Sequence, residues 1–107
     1  MKAVGFYKYG GSDVLKVLDV PTPTPQKGQV LVKVMATGVN PADWRTRAGQ
    51  FKLFMRPQFP FITGLEISGV ISELGEDVTQ FKIGDRVYGM LPIAKAGGCA
   101  EYVAVNT

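Results

Sequence analysis

Short, mostly apolar runs bounded by turn residues recur along the chain, and such runs predict β-strands. The runs that we assign to strands are residues 2–7, 14–20, 29–36, 67–74, 86–90 and 99–105. The third run is the clearest, because valine occupies every second position from Val30 to Val34. Glycines separate most of the runs, as expected of turns between short strands, and Gly10-Gly11 indicates a hairpin-like connection. The pattern predicts a mainly β domain, either a barrel or a sandwich.

Proline interrupts the strand pattern at two places. Three prolines within residues 21–25 exclude a helix or a central strand, so we expect an extended surface segment there. Asn40 precedes Pro41 after the third run, and this pair is typical of a helix N-terminus. The sequence predicts one or two helical turns over residues 41–48 and an irregular loop over residues 49–61.

The composition excludes several kinds of active site. The 107 residues, a length that suits one domain, include one cysteine, Cys99, and no histidine. Zinc sites need three or four ligands, usually Cys or His, so we expect no bound metal, and a catalytic triad that uses histidine is excluded. No glycine-rich dinucleotide fingerprint occurs either. We expect Cys99 to pack as a small core residue.

The cysteine count and the lack of long apolar stretches also indicate where in the cell the protein is expected. A single cysteine fits a reducing compartment, and the sequence has neither a signal peptide pattern nor about 18 consecutive apolar residues. We therefore expect a cytoplasmic protein with no membrane partner.

A basic cluster lies within residues 44–58, a stretch without any acidic residue. Its cations and aromatic neighbours are Arg45, Arg47, Lys52, Arg56, Trp44, Phe51 and Phe54. Such a cluster fits either a patch that binds nucleic acid or another anion, or a solvated loop with hydrophobic anchors. The formal net charge of +3 is mild, so we favour the loop and expect no nucleic-acid partner.

Two motifs with fixed spacing carry a resemblance. From Gly64 the chain reads GLEISGVISELGEDVTQFKIGDRV, and residues 38–43 read GVNPAD. Over nearly its whole length the chain resembles the N-terminal domain of the medium-chain dehydrogenase/reductase family. The resemblance implies a GroES-like fold, an irregular and partly open β-barrel with one or two short helices. It also implies that residues 1–107 form the substrate domain and that the Rossmann cofactor domain is absent from this chain.

Two positions separate the branches of that family. The zinc enzymes carry a ligand Cys where this chain has Asn40 and a ligand His where it has Leu65. The chain therefore resembles the zinc-independent, quinone oxidoreductase-like branch. That branch implies hydride transfer from NADPH to a small-molecule electrophile such as a quinone or an enone, by a homodimer. An enoyl reductase, a zinc-less alcohol dehydrogenase-like protein and a non-enzymatic GroES-like binding module stay open.

Five residues are candidates for the site. The resemblance implies that Asn40 contacts the nicotinamide ribose or the substrate, and its amide could equally cap a helix. Glu66 has apolar neighbours in sequence, so we expect its carboxylate either near the reacting centre or as a buried, hydrogen-bonded anchor. Asp43, Trp44 and Phe51 are expected to line the substrate pocket.

Overall fold

The structure, a computed structural model, describes residues 1–54 and 58–107. Within these residues the elements are β1 (Lys2–Phe6), a 3-10 helix (Ser12–Val14), β2 (Lys16–Asp19), β3 (Gln29–Gly38), α1 (Pro41–Arg47), β4 (Phe61–Ile62), β5 (Glu66–Leu74), β6 (Arg86–Met90) and β7 (Tyr102–Asn106). Strands β3, β5 and β6 confirm three predicted runs. The strand β4 was not predicted and begins at the last residue of the predicted loop, and β7 begins later than predicted. No helix in the described part of the chain is both long and apolar enough to cross a bilayer.

The strands form two antiparallel sheets. One has the order β2-β1-β4 and the other the order β6-β5-β3-β7. The hairpin predicted around Gly10-Gly11 is the β1–β2 pair. The sheets meet where Ala3 bridges Ala100 and the Val4 N–H donates to the Cys99 carbonyl at 2.8 Å. This mainly β arrangement with one short α-helix does not close into a barrel, which confirms the predicted fold class.

Two groups of buried side chains hold the domain together. The larger sheet buries Val30, Val32, Ile67, Ile71, Leu91 and Val103. The second group is Phe6, Val14, Phe61, Leu65 and Ala96. The predicted alternation in β3 holds for Val30 and Val32 but not for Leu31, which is also buried at 2% exposure. The register shift between Leu31 and Val32 leaves Ser72 of β5 without a partner, so the bulge is on β5 and β3 keeps its alternation there. The burial of Leu31 therefore means that the second face of β3 is also covered at this position.

The helix α1 begins where the sequence predicted. Asn40 has the extended backbone of an N-cap, with φ −120° and ψ 158°, and Pro41 opens the first turn. The Asp43 N–H donates to the Asn40 carbonyl at 2.9 Å, which closes that turn. The strand β3 ends at Gly38, Val39 and Asn40 turn the chain, and α1 begins at Pro41.

Candidate functional site

Asp43 joins the start of α1 to the segment that precedes β5. Its Oδ2 accepts a hydrogen bond from the Asn40 N–H at 2.8 Å. Its Oδ1 accepts bonds from the Thr63 hydroxyl at 3.1 Å and from the Gly64 N–H at 3.0 Å. Hydrogen bonds to an ionised carboxylate are stronger than bonds between neutral groups. The two sequence motifs, far apart in the chain, are therefore tied together at this one side chain.

A crevice beside Asp43, which we call the α1 crevice, has a volume of about 210 Å³. Its lining residues are Val4, Leu15, Gly38, Val39, Asp43, Trp44, Arg47, Thr63, Gly64 and Cys99. The predicted pocket residues Asp43 and Trp44 are among them. Arg47 joins them because residues four apart share one face of a helix. That spacing is the signal by which the sequence could have identified Arg47.

One wall of the α1 crevice is a crossing of two backbone segments. The Cys99 N–H donates to the Thr63 carbonyl at 2.8 Å, and the Gly98 N–H donates to the Gly64 carbonyl at 2.9 Å. Gly64 has φ +103°, and a Cβ placed there would lie 2.5 Å from the Cys99 nitrogen. A side chain at this position would therefore be both strained and in collision with backbone. Only glycine fits at residue 64.

Cys99 is half-buried in the wall of the crevice, so the prediction that it packs wholly in the core was wrong. Its burial raises the pKa of the thiol, because a thiolate loses solvation there. The Thr37 hydroxyl lowers this pKa, and the charge of Asp43 adds a smaller rise. Burial therefore favours the thiol of Cys99 over its thiolate.

Asn40 lies at the N-cap with part of its side chain buried. Its Nδ2 has almost no exposed surface and has no hydrogen-bond partner within the described residues. Leaving a buried donor unpaired costs about 1–3 kcal/mol, so such a group calls for an acceptor. The helix start does not depend on this atom, since the capping box uses the acceptor side of the Asn40 side chain, which faces the Asp43 N–H, and the Asp43 carboxylate, which accepts from the Asn40 N–H.

A wider and more open groove of about 610 Å³ shares Gly38 with the α1 crevice. Glu66 lies in this groove, where it pairs with Gly38 of β3 and with Met90 of β6. The Glu66 side chain is exposed, so the expectation of a buried anchor was wrong. Strand alternation explains the difference, because the neighbours Leu65 and Ile67 point into the core and Glu66 points out.

Trp44 and Phe51 were both predicted to line the pocket, and only Trp44 does so. Trp44 is 42% exposed, and the Arg45 guanidinium carbon lies 5.3 Å from its ring centroid, within cation–π range. Phe51 is half-buried in the turn after α1 and is not among the residues that line the α1 crevice. Arg56, part of the predicted basic cluster, lies outside the described residues. Among the residues that are described, no three His, Cys, Asp or Glu side chains are placed to hold a metal ion.

Residues 26–107 match the family of alcohol dehydrogenase GroES-like domains. That match covers more than half of the chain and includes every element of the α1 crevice except β1 and Leu15. The chain belongs to this family. This assignment agrees with the two open sheets of the structure and with the GroES-like fold that the sequence motifs implied.

Curated relatives of this GroES-like domain are quinone oxidoreductases of the medium-chain dehydrogenase/reductase family. The chloroplastic quinone oxidoreductase QR1 of Triphysaria versicolor is 42% identical over 103 residues, which cover 95% of this chain and 31% of that protein. The quinone oxidoreductase of Sus scrofa is 43% identical over 103 residues, which cover 95% of this chain and 30% of that protein. The GroES-like domain thus spans about a third of the length of these relatives.

Solved structures of quinone oxidoreductases are also similar to this domain. The quinone oxidoreductase of Coxiella burnetii superposes with a TM-score of 0.88 at 38% identity, over 99% of this chain and 34% of the other. Escherichia coli quinone oxidoreductase, solved in complex with NADPH, superposes with a TM-score of 0.87 at 28% identity, over 98% and 31%. Some relatives of the GroES-like domain are named as chloroplastic, so the cytoplasmic location stays a prediction.

Proposed function

We propose that this domain forms the substrate side of an oxidoreductase that transfers hydride from NADPH to a quinone, an enone or a similar electrophile without zinc. The proposal rests on the residues that occupy the two positions at which the zinc enzymes carry zinc ligands, because neither residue can bind zinc well. One is Asn40, an amide, and the other is Leu65, which is 2% exposed and packs in the second core group. The quinone oxidoreductases among the relatives, one of them in complex with NADPH, support the same reaction.

Asn40 fits a role toward the cofactor or the substrate. Asn40 follows Val39, which lines the α1 crevice, but it is not itself among the residues that line the crevice or the groove. The proposal therefore requires its side chain to turn toward the ligand, where the oxygens of the nicotinamide ribose and of the electrophile are acceptors for the unpaired Nδ2. When bound, NADPH supplies the hydride, and the protein supplies orientation and a dry cleft. The Asn40 amide donates to the acceptor oxygen, and that bond strengthens as negative charge develops on the oxygen.

The other candidates act as the walls of the site. Trp44 offers a flat apolar surface at the α1 crevice. The volume of about 210 Å³ is below the roughly 300–1,000 Å³ typical of ligand pockets, so the crevice would take only the ring of a small electrophile. Glu66 presents its carboxylate to solvent beside Gly38, where it can bond a polar group of the substrate or cofactor. Phe51, half-buried in the turn after α1, lines neither the α1 crevice nor the groove, so its role toward the substrate stays a prediction. A Rossmann domain, a homodimer and a cytoplasmic location complete the proposal for the whole protein.

The experiment is steady-state kinetics on the complete protein that carries this domain. NADPH should be oxidised when a quinone is added, and the isolated 107-residue chain should give no turnover, since it has no dinucleotide fingerprint. A non-enzymatic binding module would consume no NADPH with any acceptor. An enoyl reductase would consume it with an enoyl thioester and not with the quinone, and either result would contradict the proposal.

A further inference from the structure

We infer that Asp43 is a positioning residue that sets Asn40 for the reaction, and that it does not itself contact the substrate. This inference rests on the proposed function, in which Asn40 contacts the cofactor or the substrate. It replaces our expectation from sequence that Asp43 binds the substrate directly.

The first step is that the Asp43 carboxylate is already occupied. Both oxygens accept hydrogen bonds, one from Asn40 and the other from the two groups at Thr63 and Gly64. In the described part of the chain the ion pairs are Lys2–Asp19 and Lys27–Asp77, so the charge of Asp43 is compensated by dipolar donors. A substrate that bound this carboxylate would have to displace donors from the protein itself.

The second step is what the three bonds fix. Oδ2 holds the backbone nitrogen of Asn40, and Oδ1 holds the segment that leads to Leu65 and Glu66. The two positions at which zinc enzymes place ligands are therefore kept at a set separation by one side chain. This bond is one half of a capping box, whose other half places the Asn40 side chain against the Asp43 N–H, so the position of residue 43 orients the Asn40 amide as well as its backbone.

The third step explains why the residue is an aspartate. An asparagine at position 43 has nearly the same shape, but its amide nitrogen is a donor. Whichever way that amide turns, a donor faces the N–H of Asn40 or the donors of Thr63 and Gly64. Asp43→Asn should therefore release one side of the link while the fold around it persists.

The test compares Asp43→Asn with Asp85→Asn in the complete protein. Asp85 is a matched control, because its Oδ2 accepts a backbone bond from the Lys82 N–H at 2.9 Å in a turn outside both the crevice and the groove. We expect Asp43→Asn to lower kcat about tenfold, while the KM for NADPH changes by less than about twofold and Asp85→Asn leaves both constants unchanged.

A double-mutant cycle separates positioning from a plain structural role. If Asp43 acts through Asn40, Asp43→Asn should have almost no further effect on kcat in an Asn40→Ala background. Losses that multiply in the double variant would overturn the inference, as would an unchanged kcat in Asp43→Asn. Thr63→Val removes only one of the three bonds and should give a smaller loss in the same direction. If Asp43→Asn does not fold, Thr63→Val replaces it as the test variant. An unchanged kcat in Thr63→Val would then count against the inference.

Amide hydrogen exchange in the 107-residue chain keeps this inference separate from the proposed function. Exchange at the Asn40 and Gly64 amides should be faster in Asp43→Asn than in Asp85→Asn. If the complete protein shows no NADPH oxidation, the proposed function fails, and exchange alone then decides whether Asp43 holds Asn40. Unchanged exchange at Asn40 would overturn the inference whatever the activity.

Discussion

Replacing Gly64 by alanine should unfold the domain at a much lower urea concentration than an equivalent change elsewhere. Gly64 combines φ +103° with a crossing in which its Cβ would lie 2.5 Å from the Cys99 nitrogen and 2.9 Å from the Gly98 carbonyl carbon. Real Cβ atoms do not approach backbone this closely. The two segments must therefore separate, and the hydrogen bonds between them lengthen or break.

The magnitude follows from two contributions. A non-glycine residue in a left-handed conformation costs about 1–2 kcal/mol. Loss of the bonds from Gly98 and Cys99 to residues 64 and 63 costs about 0.5–1.5 kcal/mol each. Gly64→Ala should therefore lower the free energy of unfolding by roughly 2–5 kcal/mol, a large part of the roughly 5–15 kcal/mol typical of a domain.

Gly84 provides the matched control. It has a similar φ of +95°, yet nothing lies within 4 Å of a Cβ built there. Gly84→Ala should therefore cost only the conformational contribution, about 1–2 kcal/mol. Urea unfolding followed by the fluorescence of Trp44, the single tryptophan, measures both variants against the parent chain. If the two variants differ by less than about 0.5 kcal/mol at equal m-values, the crossing is not tight and our description of the crevice wall is wrong.

Three further results are expected. Asn40→Ala should lower kcat/KM in the complete protein roughly 5- to 150-fold and should also cost about 0.5–2 kcal/mol of stability, because its side chain is half of the capping box; a stability loss with unchanged kinetics would make Asn40 a structural cap only. Phe6→Ala should cost about 3–5 kcal/mol in urea unfolding, since Phe6 is fully buried against Phe61 at 5.4 Å between ring centroids; a cost below about 1 kcal/mol would contradict this core assignment. Alkylation of Cys99 by iodoacetamide should follow a pH profile displaced above that of free cysteine, because burial raises the pKa of the thiol and so lowers its thiolate fraction; a displacement to lower pH would refute this.

Sequence patterns predicted those strands and the helix start that depend on residues close together in the chain. The period of two in β3, the short runs bounded by turn residues at β5 and β6, and the Asn40-Pro41 pair predicted strands and a helix start that the structure confirms. The two-residue strand β4 is too short to show any period. Its existence depends on pairing with Gly5 and Phe6, which no pattern within residues 49–61 reveals.

The candidate site was predicted less completely because it is made of contacts between distant segments. Asp43 and Trp44 were predicted at the pocket wall and lie there, yet nothing local to Asp43 indicates that Thr63 and Gly64 are its partners. Cys99 reaches the crevice through the backbone crossing at Gly64, a contact that only tertiary structure creates. The exposed position of Glu66, by contrast, was available from strand alternation between Leu65 and Ile67.

The central claim is zinc-independent hydride transfer from NADPH, and one measurement tests it most directly. The complete protein should be dialysed against a chelator, its metal content measured, and NADPH oxidation followed after addition of a quinone. We predict full activity in the metal-free protein, with one NADPH oxidised for each quinone reduced by two electrons. Loss of activity on chelation that zinc restores, or tight NADPH binding with no oxidation by any quinone or enone, would contradict the account.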